Sequence, residues 1–182
     1  MGGDTENRMI ESDYGSTEGE DGVKEKVYIE TSVISYLCAR PSRDLVVAAN
    51  QEVTREWWEK ERPRYKLFIS QLVTAEIRAG DEDAAAKRIK AVKGIEVLTA
   101  NHESEDLAGK LMQEATLPSR VGDDIAQLAV AAVYRMDYLL TWNCAHIANP
   151  HWLKKIEGIV VNAGFNMPVV CDPQALLEGE HE

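Results

Sequence analysis

The segment Val27-Tyr28-Ile29-Glu30-Thr31-Ser32-Val33-Ile34-Ser35-Tyr36-Leu37 changes character at Glu30. Before it stands a short run of β-branched and aromatic residues, the composition of a buried strand. After it, Val33, Ile34 and Leu37 are spaced for one face of a helix. A strand running straight into a helix is half of a βα unit, and it puts Glu30 at the carboxyl end of that strand.

The same alternation recurs along the chain. Residues 67–70 predict a second strand, followed by a helix over 71–79 that Gly80 ends. Further strands are expected at 95–98, 138–141 and 169–171. Helices are expected at 31–39, 44–61, 83–92, 103–115, 123–135, 152–163 and 173–177, with Pro63, Gly94 and Gly164 as stops. Strands alternating with helices predict an α/β fold: a three-layer α/β/α sandwich around a mainly parallel sheet. No internal repeat and no second domain is legible. Residues 26–177 read as one domain, between an acidic segment over 1–25, expected to be disordered, and an acidic tail over 178–182.

The chain has 182 residues, 45% of them hydrophobic and 28% charged, enough for one domain with a substantial core. No apolar run approaches the roughly 18 residues of a membrane span. The polar, acidic N-terminus is unlike a signal peptide. Cys38, Cys144 and Cys171 have no framework spacing, and an odd count fits a reducing cytoplasm. The net charge of −11 argues against nucleic acid at first sight, but residues 1–26 alone carry eight acids and three bases. The remainder is nearer balance and has basic clusters, one from Arg40 through Arg43, Arg55 and Lys60 to Lys66 and one at Lys87, Arg88, Lys90 and Lys93. Such clusters most often form solvated helix faces.

Acids recur at strand ends and helix starts. Glu30 ends the first strand, Glu76 lies in the helix after the second, and Asp123-Asp124 open the Ala-rich helix Ile125-Ala126-Gln127-Leu128-Ala129. Asn143 follows the fourth strand in Leu139-Leu140-Thr141-Trp142-Asn143. Carboxylates gathered at the carboxyl ends of parallel strands repel one another unless a cation sits among them. Hard divalent ions such as Mg²⁺ suit that setting.

Each residue also has a plainer role. Glu30 could cap its helix, although Glu is a poor cap and Thr31 or Ser32 would serve better. Asp123 could cap the Ala-rich helix, leaving Asp124 for the site. Glu76 could be a solvated helix acid, and Asn143 could shape a turn. Thr31, Ser32 and Thr141 suit hydrogen bonds to a carboxylate or phosphate, or to local backbone. Asp137 fits a helix-to-strand loop. Cys144 and His146 suggest zinc weakly, since two more ligands are missing. Trp57, Trp58 and Trp152 suit packing better than base stacking.

Four polar sites in this order resemble the PIN domain, a family of ribonucleases that includes VapC-type toxins of toxin–antitoxin pairs. The resemblance spans about residues 26–175. It rests on Tyr28-Ile29-Glu30-Thr31-Ser32-Val33-Ile34, on Glu76, on Asp124-Ile125-Ala126-Gln127-Leu128-Ala129 and on Thr141-Trp142-Asn143. Two departures stand out: Glu30 replaces the family's usual Asp, and Asn143 replaces its fourth Asp. The resemblance implies hydrolysis of RNA phosphodiester bonds, with Mg²⁺ or Mn²⁺ held by Glu30, Glu76 and Asp124. Asn143 would orient a water or ligand, and Thr31, Ser32, Thr141, Arg40 and Arg43 would contact substrate. It also implies an antitoxin partner and a homodimer. The loss of the fourth acid motivates an alternative, a non-catalytic PIN-like scaffold that binds RNA or protein.

Overall fold

Five parallel strands form one sheet: β1 (Lys26–Ile29), β2 (Lys66–Ser70), β3 (Glu96–Leu98), β4 (Tyr138–Leu140) and β5 (Val169–Cys171), in the spatial order β3-β2-β1-β4-β5. The structure, a computed structural model, describes residues 23–143 and 145–178. The expectation of disorder over 1–25 falls almost wholly outside these residues, as does the acidic tail beyond Glu178.

The central strands are apolar on both faces because helices cover both. Val27, Tyr28, Ile29, Leu139 and Leu140 are all fully buried. Between the strands run α1 (Thr31–Cys38), α2 (Leu45–Lys60), α3 (Gln71–Ile77), α4 (Glu82–Ala91), α5 (His102–Glu114), α6 (Gly122–Val133), α7 (Pro150–Asn162) and α8 (Pro173–Glu178). α1 packs on α2, α3 and α4, and α2 packs on α8; in the other layer, α5 packs on α6 and α7. Buried Ala129, Ala131 and Ala132 give α6 small side chains where it lies under its neighbours.

Local chemistry sets the element ends. Asp44 accepts from the Val46 and Val47 amides at 3.0 Å each and caps α2. Asn101 and Ser104 form a reciprocal capping box on α5. Gly80 and Gly164, both at φ 88°, turn the chain after α3 and α7 in the left-handed region that a Cβ disfavours. Two single 3-10 turns, Arg62–Arg64 and Ser119–Val121, have no sequence expectation, since three residues are too few to carry a period. The expected cap at Asp123 is corrected: α6 starts at Gly122 with Val121 in the cap position and no side-chain cap, and Asp123 is exposed on the first turn.

The topology decides where function belongs. From β1 the chain winds outward through β2 and β3, then crosses to β4 and β5 on the other side. Where winding reverses, the connections leave in opposite directions and open a crevice at the strands' carboxyl ends. Here that point lies between β1 and β4, whose register pairs Ile29 with Leu140. Glu30 and Thr141 are the next residues on each strand.

Candidate active site

Glu30 follows β1 and is 5% exposed. Its Oε2 accepts three hydrogen bonds: from the Ser32 amide at 3.0 Å, from the Ser32 hydroxyl, and from Thr141 Oγ1 at 2.8 Å. Glu30 is therefore the N-cap of α1, which corrects the expectation that Thr31 or Ser32 would cap it. Three donors and the positive end of the helix compensate an acid that is otherwise a poor cap. All three fall on one oxygen, and among the described residues no hydrogen bond reaches Oε1. Burial pushes the Glu30 carboxyl above the usual carboxylate range; the Ser32 and Thr141 bonds pull it back, and the nearby charge of Glu76 raises it further.

The hydroxyls beneath Glu30 are themselves held. Ser32 Oγ accepts from the Trp142 amide at 2.8 Å, and Thr141 Oγ1 accepts from the Asn143 amide at 2.9 Å. The turn after β4 is thus tied to the first turn of α1. Trp142 anchors the same turn from outside, stacking on Tyr36 at 5.8 Å and donating its indole N–H to Thr54 Oγ1 at 2.8 Å.

Glu76 sits half-buried on α3. Its Oε2 accepts from the Thr31 hydroxyl, and both its oxygens accept from Gln127 Nε2, at 3.2 and 3.3 Å. Gln127, on α6 and 1% exposed, is the site residue that sequence reasoning missed. A chain of hydrogen bonds explains it. Ser70 Oγ lies 2.7 Å from Tyr28 Oη, and Tyr28 donates to Gln127 Oε1 at 3.3 Å. Gln127 turns its amide to Glu76. Burial holds the Tyr28 phenol far above its ordinary pKa, so it stays a neutral donor. The signal was a polar residue on the apolar face of an Ala-rich helix.

Asp124 lies on the first turn of α6. Its Oδ1 accepts from Asn143 Nδ2 and its Oδ2 pairs with His146 Nδ1, both at 3.0 Å. Burial raises its pKa, while the charge and hydrogen bond of His146 and the Asn143 bond lower it. Asn143 therefore acts through its amide on Asp124. The weak zinc pairing of Cys144 with His146 is not what His146 engages: its partner is Asp124, and Cys144 lies outside the described residues.

Arg40 and Arg43 lie exposed between α1 and α2, and among the described residues neither guanidinium bonds to the site carboxylates. Asp137 is far from the site; it accepts from the Lys26 amide at 2.7 Å at the strands' other end, as a loop residue would. Trp57 is fully buried and stacks on Tyr65 at 6.0 Å, and half-buried Trp58 carries Arg62 at 4.6 Å. Trp152 stacks on the His146 ring at 6.5 Å, with 17° between the planes.

Among the described residues, no group of three or more His, Cys, Asp or Glu side chains gathers around one point as metal ligands. The donor chemistry suits a hard cation in part. Glu30 and Glu76 are near enough to repel, and Glu30 keeps one oxygen without a donor. Asp124 stands apart, with both oxygens engaged.

No family model and no curated protein matches the sequence. Similar solved structures exist. One, described as VapBC2 from Rickettsia felis bound to a DNA fragment from their promoter, aligns with TM-score 0.55 at 12% identity, covering 81% of this chain and 98% of that one. Another, FitAB bound to IR36 DNA fragment, aligns with TM-score 0.49 at 14% identity, covering 86% of this chain and 99% of that one. The chain has the PIN-like, VapC-like α/β/α fold, with Glu30, Glu76 and Asp124 along the carboxyl edge of its sheet.

Proposed function

We propose that this chain is the toxin of a toxin–antitoxin pair and acts by hydrolysing RNA phosphodiester bonds with the help of Mg²⁺ or Mn²⁺. The observation that carries the reading is the pair of mutually repelling carboxylates, buried Glu30 and half-buried Glu76, at the switch point of a VapC-like fold. Burying one carboxylate beside a second is costly, and a site that accepts the cost is a functional candidate. The likeness to a VapBC complex supports an antitoxin partner, and the family resemblance supports a homodimer.

Glu30 and Glu76 would hold the ion. Asp124 would join by exchanging its Asn143 bond on Oδ1 while Oδ2 keeps His146. When bound, the ion would supply a water of lowered pKa and neutralise charge on the phosphate. Ser32 and Thr141 fix the Glu30 carboxylate through three donors on one oxygen, so its other oxygen is held in place. Thr31 and Gln127 do the same for Glu76.

The test is time-dependent cleavage of a mixed RNA pool in Mn²⁺ by wild type and Asp124→Asn. Wild type should cleave. Asp124→Asn should lower the rate by at least about 10²-fold while keeping its fold, since losing one charged group at a reacting centre costs about that much. Cleavage that survives the substitution places the activity elsewhere. Binding of RNA without cleavage by wild type supports the scaffold reading that the missing fourth acid suggests.

A further inference from the structure

The candidate site lies at the carboxyl ends of the strands. At their amino ends an open groove of about 700 Å³ spans the starts of β1, β2 and β3. Lys24, Lys26, Arg62 and Lys66 line it, and Glu96 is the one acid among its lining residues. Lys66 pairs with Glu96 at 3.1 Å. Lys24 gives its ammonium to the Pro63 carbonyl at 2.7 Å, and Arg62 lies over the Trp58 ring at 4.6 Å. Among the described residues, the side chains of Lys24, Lys26 and Arg62 pair with no carboxylate. Register concentrates the charge, because Lys26 and Lys66 are Cα partners on adjacent strands. Like charges set opposite each other destabilise a sheet, and an anion beside them relieves the repulsion.

The chain reaches this groove from residues 1–22, which lie outside the described residues and carry seven acids and one base. Val23 itself lines the groove. Asp21 and Glu20 come two and three residues before it, and Glu18 five. A residue spans at most about 3.6 Å, so the backbone of Asp21 and Glu20 stays within about 11 Å of Val23 along any path. A tether that short holds an intramolecular partner at an effective concentration on the order of millimolar. Exposed ion pairs are individually weak, and such a tether lets several hold together.

We propose that the acidic segment Glu18-Gly19-Glu20-Asp21 of this chain docks in the groove, with its carboxylates beside Lys26, Arg62 and Lys66. The contact is non-covalent and does not depend on the phosphodiesterase reading. It covers cations that would otherwise attract the phosphates of an RNA strand, at the end of the sheet away from the site.

The test uses the full chain as an equal mixture of ¹⁵N-labelled and unlabelled protein. A carbodiimide joins carboxylates to amines in contact with them, and peptide mass spectrometry identifies the pairs. Lys66 with Glu96 is the internal standard. Glu18, Glu20 and Asp21 should couple to Lys26 and Lys66 within one copy, at least about five-fold more at low salt than in about 0.5 M NaCl, which screens exposed charges. Coupling confined to Lys24, or found only between labelled and unlabelled copies, overturns the proposal. A second measurement reads the contact from the groove side. A glutamyl endopeptidase cuts after Glu18 and Glu20. Lys26→Gln/Arg62→Gln should be cut there at least about five-fold faster than wild type at low salt, and equally fast in about 0.5 M NaCl. Equal rates at both salts overturn the proposal. So does an RNA pool that, in EDTA, shields Lys26 from acetylation without changing cleavage after Glu18 and Glu20, since the groove then belongs to nucleic acid. Should the variant unfold, the coupling in wild type decides alone.

Discussion

Glu30 concentrates the electrostatic strain of this protein. It is buried, it feels Glu76, and three donors on one oxygen hold it. Its folded pKa is raised above the ordinary value of 4.5, and burial is the largest cause. A raised carboxylate pKa means the folded state binds the proton more tightly than the unfolded state. The stability linked to that proton is fully present below about pH 4.5 and is lost as pH rises through the folded pKa. Glu30→Gln retains an acceptor oxygen for Ser32 and Thr141 and cannot ionise. In urea titrations with EDTA at pH 4.5 and pH 7, the variant should therefore lose less stability with rising pH than wild type. An equal loss in both would show that Glu30 is not the strained group.

At the scale of elements, the helix junctions carry the remaining strain. Thr116, exposed after α5, sits at φ 56°, a left-handed conformation that a β-branched residue disfavours. The chain must reverse there to bring α6 back against α5. A left-handed non-glycine residue costs about 1–2 kcal/mol, and glycine gives back about 0.5–1 kcal/mol in unfolded-state entropy. Thr116→Gly should thus stabilise the protein by about 0.5 kcal/mol, read as a higher urea midpoint at unchanged slope. A lower midpoint would mean that the Thr116 side chain contributes something the backbone angle conceals. The α6 junction matters more for function: its helix begins without a side-chain cap, and the Asp124 it carries looks to Asn143 and His146 for its donors.

For the whole molecule, the topology brings residues from four elements to one edge: Glu30 after β1, Glu76 on α3, Gln127 and Asp124 on α6, Thr141 and His146 after β4. If Glu30 and Glu76 hold a divalent ion, binding to the folded state alone must stabilise it. The gain is about 2.7 kcal/mol at a hundred times the dissociation constant. Mn²⁺ should raise the Tm of wild type and leave that of Glu30→Gln nearly unchanged. An equal rise in both would put the ion elsewhere on a chain with many other acids.

The sequence by itself determined the sheet and its helices. Unbroken apolar runs such as Val27-Tyr28-Ile29 mark strands covered on both faces, and the 3.6-residue period marks the helices between them, so each element was written locally. It also placed Glu30 and Thr141 at strand ends, because a strand's end is a local event. Tertiary structure decided what those residues touch. Gln127 carried no expectation of its own; only the fold sets it between Tyr28 of β1 and Glu76 of α3. His146 looked like half of a weak zinc pair until the turn after β4 brought it to Asp124. Glu30 caps its helix through the nearby Ser32 amide, but the Thr141 hydroxyl that also holds its carboxylate comes from 111 residues away. A hydrogen bond depends on distance and direction between groups remote in the chain, and neither periodicity nor composition encodes either one.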